Sequence, residues 1–115
     1  MRNMSFSITT DQIRDKSKTV TRRLGWEFLV PGELVRPVVK GMGLKKGEKV
    51  EPIRGPLRIM DVRREELNDM VDEPGATAKE GFPDLAPTAF VDMFCRHMKI
   101  YPYTIVTRIE FGYTD

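Results

Sequence analysis

Apolar and polar positions alternate at the start of the chain, where Met4, Phe6 and Ile8 are separated by Ser5 and Ser7, the period-two pattern of a half-buried strand. Thr9 stands three residues before Gln12, the spacing of a helix capping box, and Ile8 and Ile13 are placed for the accompanying hydrophobic staple. A short helix is therefore predicted over about Thr10 to Lys16. β-Branched residues follow in Lys18-Thr19-Val20-Thr21-Arg22-Arg23, which predicts an extended segment. In such a segment Lys18, Val20 and Arg22 face one way and Thr19, Thr21 and Arg23 the other. Trp26, Phe28, Leu29 and Val30 form an apolar group ahead of the turn dipeptide Pro31-Gly32, and a strand restarts from about Leu34 to Val39.

Lys40 to Lys49 carries three glycines and four lysines without apolar periodicity, and reads as a surface loop or hairpin tip. Apolar residues return from Ile53 to Val62, but Pro52 and Pro56 restrict ladder pairing, so an edge strand with a bulge is predicted there. Leu67, Met70 and Val71 fit one short helical face, and Asp72 to Ala78 reads as a loop. Thr88 is placed to cap a helix whose Phe90, Val91, Phe94, Cys95 and Met98 form an apolar stripe. After Pro102, a final strand carries Ile105, Thr107, Ile109 and Phe111 on one side and Val106, Arg108 and Glu110 on the other. Strands separated by short helices predict an α+β domain around a small mixed sheet or barrel.

A chain of 115 residues holds one core but not two independent ones, so a single domain over residues 1–115 is expected. Its balance of hydrophobic and charged residues is that of a folded protein. The net charge of +2 argues little for polyanion binding by itself, but the basic residues cluster at Arg22-Arg23, Lys45-Lys46 and Arg63-Arg64. Cys95 is the single cysteine and His97 the single histidine. That rules out an internal disulfide and leaves no Cys/His set for structural zinc, so neither metal nor cofactor is expected. No apolar run reaches signal-peptide or bilayer-spanning length, so the expected setting is cytoplasmic, with no membrane partner.

Within six residues, Lys18, Thr21, Arg22 and Arg23 combine an amine able to carry a proton, a hydroxyl and two fixed cations. Taken alone, the segment also fits a solvated basic strand end. Glu80-Gly81-Phe82 sets a carboxylate, a flexible glycine and an aromatic ring ahead of the last helix, where a carboxylate also serves as a simple charge–dipole partner. Trp26 is placed either to stack on a base or to pack in the core. His97 reads as a boundary residue of the helix and Cys95 as a small apolar group on its stripe. Tyr101 and Tyr103 flank Pro102 at a possible rim.

The order of these elements carries a resemblance. A Phe6-containing first strand, a short helix, Lys18-Thr19-Val20-Thr21-Arg22-Arg23, and Pro31-Gly32-Glu33 before a hydrophobic strand come first. Glu80-Gly81-Phe82, the Phe90–Phe94 helix and the closing Val106-Thr107-Arg108-Ile109-Glu110-Phe111 strand follow. The chain resembles the ASCH domain of the PUA-like superfamily over nearly its whole length. The resemblance implies a small PUA-like mixed β-barrel with flanking short helices and a basic cleft for RNA or a modified nucleoside. Lys18, Arg22, Arg23 and Trp26 would make the contacts.

Similarity to bacterial N4-acetylcytidine amidohydrolases implies a second activity, deacetylation of N4-acetylcytidine-type nucleosides. Thr21 would be the nucleophile, Lys18 the proton shuttle and Glu80 the polarising or orienting carboxylate. A non-catalytic protein-interaction adaptor is the third reading. Where the family commonly has a glycine two residues before the lysine, this chain has Lys16, which suits a positive φ angle less well.

Overall fold

The computed structural model describes residues 1–41 and 44–115. Strands β1 (Arg2–Ser5), β2 (Val20–Arg23), β3 (Leu34–Val38), β4 (Leu57–Glu66) and β5 (Ile105–Tyr113) form one mixed sheet in the order β1-β3-β4-β5-β2. Helices α1 (Thr10–Arg14), α2 (Ala76–Lys79) and α3 (Pro87–Met98) and a 3₁₀ helix (Leu67–Asp72) complete the α+β architecture. β1 runs parallel to β3, and the other neighbours are antiparallel.

β4 is the middle strand of the sheet, not the predicted edge. Pro52 and Pro56 both precede its first residue, Leu57, so neither removes a donor from its ladder. The predicted bulge is present, as a register shift between Ile59 and Asp61 against β5. The expected barrel is not formed. Among the described residues no ladder joins the edge strands β1 and β2, and closure requires continuous backbone pairing. Each edge strand is only four residues long, and the Ser5 carbonyl is taken by a side chain, with Arg23 Nη2 donating to it at 2.6 Å.

Alternation along β5 divides the interior. Ile109 and Phe111 join Met4, Phe6, Ile13, Leu29, Val35, Leu57 and Ile59 in one cluster. Val106, of opposite parity, joins Leu67, Met70, Ala76, Phe90 and Val91 from the 3₁₀ helix, α2 and α3 in another. β5 is thus covered on both faces, and the two-sided alternation read from its sequence becomes two apolar cores. In the predicted group around Trp26 only Leu29 is buried, while Phe28 and Val30 are exposed.

Several local predictions shift for identifiable reasons. The capping box is not formed: the Thr9 side chain makes no capping bond, and the Gln12 side chain donates Nε2–H to Gly81 O at 3.1 Å while Thr9 N–H donates to Phe6 O. Ile8 is exposed, so the staple with Ile13 is absent. The segment predicted as a loop over Asp72 to Ala78 is part helical, with α2 entered through Gly75 at φ 68°. α3 begins at Pro87, one residue before the predicted cap Thr88, since the fixed φ of proline suits a first helical turn. In the glycine- and lysine-rich loop, Glu48 N donates to Lys45 O at 2.9 Å in a tight turn. Positions 42 and 43 of that loop lie outside the described residues.

Lys16 closes the turn after α1 with φ 67°, the left-handed conformation that glycine adopts without the Cβ penalty. Lys16→Gly is expected to raise stability by about 0.5–1 kcal/mol, the steric relief exceeding the added entropy of the unfolded chain. Chemical denaturation at neutral pH measures it, and a lower midpoint for the variant would refute the account.

Candidate functional site

Lys18 enters the site from the turn after α1 with its backbone held at both ends. Its N–H donates to Gln12 O at 3.2 Å, and its carbonyl accepts from Tyr113 Oη at 2.7 Å. Thr19 N donates to Lys79 O at 2.8 Å, which brings the end of α2 alongside. The Lys18 side chain is buried, and Nζ donates to Glu80 O at 2.8 Å and to Glu80 Oε1 at 2.9 Å. Gly81 lets the chain turn here at φ 96°, where a Cβ would stand 2.9 Å from Gln12 Cγ. Only glycine fits both the angle and the space.

Arg22 lies beneath this pair with no exposed side-chain surface. Each of its guanidinium nitrogens meets a different carboxylate: Nη1 donates to Glu80 Oε2 at 2.9 Å, Nη2 to Glu73 Oε1 at 2.9 Å and Nε to Glu65 Oε2 at 3.1 Å. Arg108 continues the network, with Nε and Nη2 on the two Glu73 oxygens at 2.8 and 3.1 Å. Burying charge is costly unless it is paired and hydrogen-bonded. In this network no buried side-chain nitrogen or oxygen lacks a partner.

A cavity of about 360 Å³ opens above these groups, within the range of small-ligand pockets. One wall is polar, with Lys18, Thr21, Arg22, Arg23 and Glu80, and the other is aromatic, with Phe6, Trp26, Phe82, Phe90 and Phe94. His97 stands at its edge on the last turn of α3, among the residues lining the mouth. Lys18, Thr21, Arg22, Arg23, Trp26 and Glu80 therefore line one concavity, but not as one cluster, and Tyr101 and Tyr103 are not among its lining residues. Strand alternation directs Lys18 and Arg22 to Glu80, whereas Thr21 Oγ1 accepts from Arg23 Nε at 3.2 Å. Among the described residues no hydrogen bond joins Lys18 to Thr21.

Electrostatics differ sharply between neighbours. Burial lowers the Lys18 pKa, opposed by the adjacent Glu80 carboxylate, so its neutral form is more accessible than in a surface lysine. Burial also lowers Arg23, to about 10. Burial would raise Glu73, but Arg108, Arg22 and Lys79 outweigh it and hold that carboxyl at about 2. Cys95 is half-buried on α3, and burial pushes its thiol up, away from the reactive thiolate. Among the described residues no group of three or more His, Cys, Asp or Glu is arranged to hold a metal ion, and no helix is long and apolar enough to cross a membrane.

No protein-family model matches the chain, and no curated protein matches its sequence. Solved structures do match. The hypothetical protein PH0355 superposes with a TM-score of 0.63 at 14% identity, over 96% of this chain and 94% of that one. An ASCH domain from Lactobacillus crispatus JV V101 superposes with a TM-score of 0.55 at 19% identity, over 96% of this chain and 77% of that one. The chain shares its fold with these two structures, one of them an ASCH domain. In this fold the cavity falls between the edge strand β2, the segment from Ser5 to Thr9, and α3.

Two features of the site were not legible in the sequence. No motif in the sequence points to Glu65 or Glu73, and only the register of β4 against β5 and the 3₁₀ turn bring them to Arg22. Phe94 and Phe90 read as core packing, yet α3 turns part of its stripe toward the cavity.

Proposed function

We propose that the cavity binds RNA or a modified nucleoside by admitting one base. In this reading the base lies against the aromatic wall of Trp26 and Phe94, and its polar edge meets Lys18, Thr21 and Arg23. Arg22 serves differently from the sequence expectation: with three carboxylates on its guanidinium, it positions Glu80 and leaves capture of the ligand to its neighbours. The observation that carries the proposal is the convergence of one aromatic and one cationic wall on a cavity of about 360 Å³, since stacking and hydrogen bonding to an unstacked base are how proteins read single-stranded RNA.

Trp26 is the only tryptophan and lines the cavity, so its fluorescence reports occupancy directly. Titration with short single-stranded RNA and with N4-acetylcytidine at low salt is expected to quench or shift it, and Phe94→Ala to weaken binding about 5- to 100-fold. No spectral response and no retention of either ligand at low salt would overturn the proposal.

The amidohydrolase reading draws on one specific observation, a buried lysine 2.9 Å from a buried carboxylate with its pKa lowered by burial. Thr21 Oγ would attack the acetamide carbonyl, Lys18 Nζ would receive the hydroxyl proton and return it to the departing amine, and Glu80 would orient Lys18. Water then releases acetate from Thr21. This reading ranks second because the Thr21 hydroxyl is bonded to Arg23, so Lys18 must approach it before the step. It predicts acetate release from N4-acetylcytidine that is lost in Lys18→Ala and in Thr21→Ala; release unaffected by either substitution would end it.

A further inference from the structure

Arg22 and Arg23 are adjacent in sequence and opposite in circumstance. Arg22 is matched by three carboxylates. Arg23, partly buried in the cavity wall, makes only neutral contacts: Nε to Thr21 Oγ1 at 3.2 Å, Nη2 to the Ser5 carbonyl at 2.6 Å, and its guanidinium carbon 4.7 Å from the Phe6 ring centre. Among the described residues it has no carboxylate within ion-pairing distance. Both oxygens of Glu80, the carboxylate on the same wall, are already held by Lys18 and Arg22. A cation withdrawn from water without a counter-charge is unfavourable, and one that lines a cavity is completed by what enters it.

The remaining hydrogen-bonding capacity of the wall points the same way. Among the described residues Arg23 Nη1 makes no hydrogen bond, and since no buried side-chain nitrogen among them lacks a partner, Nη1 opens on accessible space. Thr21 Oγ1 accepts from Arg23 and keeps its own proton to donate. Lys18 Nζ uses two of its three protons on Glu80. The polar wall therefore offers donors from three side chains, while its one carboxylate is occupied.

We propose that Arg23 is the anion-recognising residue of this cavity, and that the ligand carries a phosphoryl or carboxylate group paired with the Arg23 guanidinium, its flat body lying against Trp26 and Phe94. The proposal deepens the base-binding reading, which is indifferent to ligand charge, by assigning the ligand an anionic head. Thr21 and Lys18 add donors to the same group, and charge-assisted bonds of this kind are the strong ones.

Two matched pairs of probes test it at constant ionic strength, followed by Trp26 fluorescence and calorimetry: cytidine against cytidine 5′-monophosphate, and benzamide against benzoate. The anionic member of at least one pair is expected to bind at least about tenfold tighter. Arg23→Gln should remove that difference, weakening the anionic member of the pair more than the neutral one, and Arg23→Lys should keep part of it. Preference in the cytidine pair identifies a phosphoryl head, and preference in the benzoate pair a carboxylate.

Equal affinity within both pairs in the unmodified protein overturns the proposal, as does a preference that persists in Arg23→Gln. The comparison in the unmodified protein and the Arg23→Lys variant decide the matter even if Arg23→Gln, which also loses the bond to Ser5, does not fold. The two readings fail separately. Benzoate binding that depends on Arg23, with no affinity for cytidine or its monophosphate, retains the anion site and removes the base. Equal binding of cytidine and its monophosphate, with none of benzoate, does the reverse.

Discussion

Arg22→Met is expected to cost about 3–5 kcal/mol of folding stability at neutral pH, a large part of the roughly 5–15 kcal/mol that holds a domain of this size together. The side chain has no exposed surface, and its three partners, Glu65, Glu73 and Glu80, are 9%, 13% and 3% exposed. Methionine fills similar volume, so little of the loss comes from packing; it comes from leaving carboxylates buried with their shared counter-charge removed. Arg22→Lys should be intermediate, because an ammonium retains the charge but cannot direct three nitrogens in a plane at three acids. Urea denaturation measures both variants. The penalty for methionine should shrink on acidification, as Glu73, deprived of one of its counter-charges, takes up its proton. A loss below about 1 kcal/mol at pH 7 would contradict the assignment of Arg22 as the electrostatic centre of the site.

The adjacent residues 22 and 23 also show where sequence reading stopped. The alternation of Lys18, Val20 and Arg22 against Thr21 and Arg23 was legible, and strand parity does send Lys18 and Arg22 to Glu80. What each arginine does was not legible, because it depends on acids from β4 and from the turn before α2, which approach only through tertiary pairing. The sequence treats Arg22 and Arg23 as equivalent cations; the fold makes one an internal tie and leaves the other facing the cavity.

The same limit explains the errors of architecture. Elements with a strong local pattern, such as the closing strand and the Phe90 helix, are present where the pattern put them. The rank of β4 within the sheet depended on which strands pair, and the prolines that argued for an edge lie just outside the ladder. Gln12 shows a local motif giving way to a tertiary one: its amide leaves the cap for Gly81 and thereby fixes the turn that delivers Glu80. The glycine missing before Lys18 proved a matter of strain rather than of fold, since Lys16 adopts the positive φ itself.

Stability is also expected to fall by about 3 kcal/mol between pH 5 and pH 2 through Glu73 alone. Burial works against its ionisation, but Arg108, Arg22 and Lys79 prevail and lower its pKa from 4.5 to about 2. Arg63 adds a bond at 3.2 Å. A carboxyl depressed in the folded state binds its proton more readily when unfolded. Its contribution is therefore complete above the unfolded value of 4.5, declines as pH falls toward about 2, and is gone below it. At about 1.4 kcal/mol for each tenfold change in proton affinity, the interval amounts to roughly 3 kcal/mol. Other acids titrate in the same range, so the decisive comparison is with Glu73→Gln. That variant should be less stable at pH 7, since it leaves Arg108 and Arg22 short of a counter-charge, and its stability should depend less steeply on pH from 5 to 2. Denaturation curves of the two proteins across that interval should converge as pH falls, because protonated Glu73 and glutamine are both neutral to the arginines. Parallel curves would show that Glu73 is not the group through which acid reaches this network.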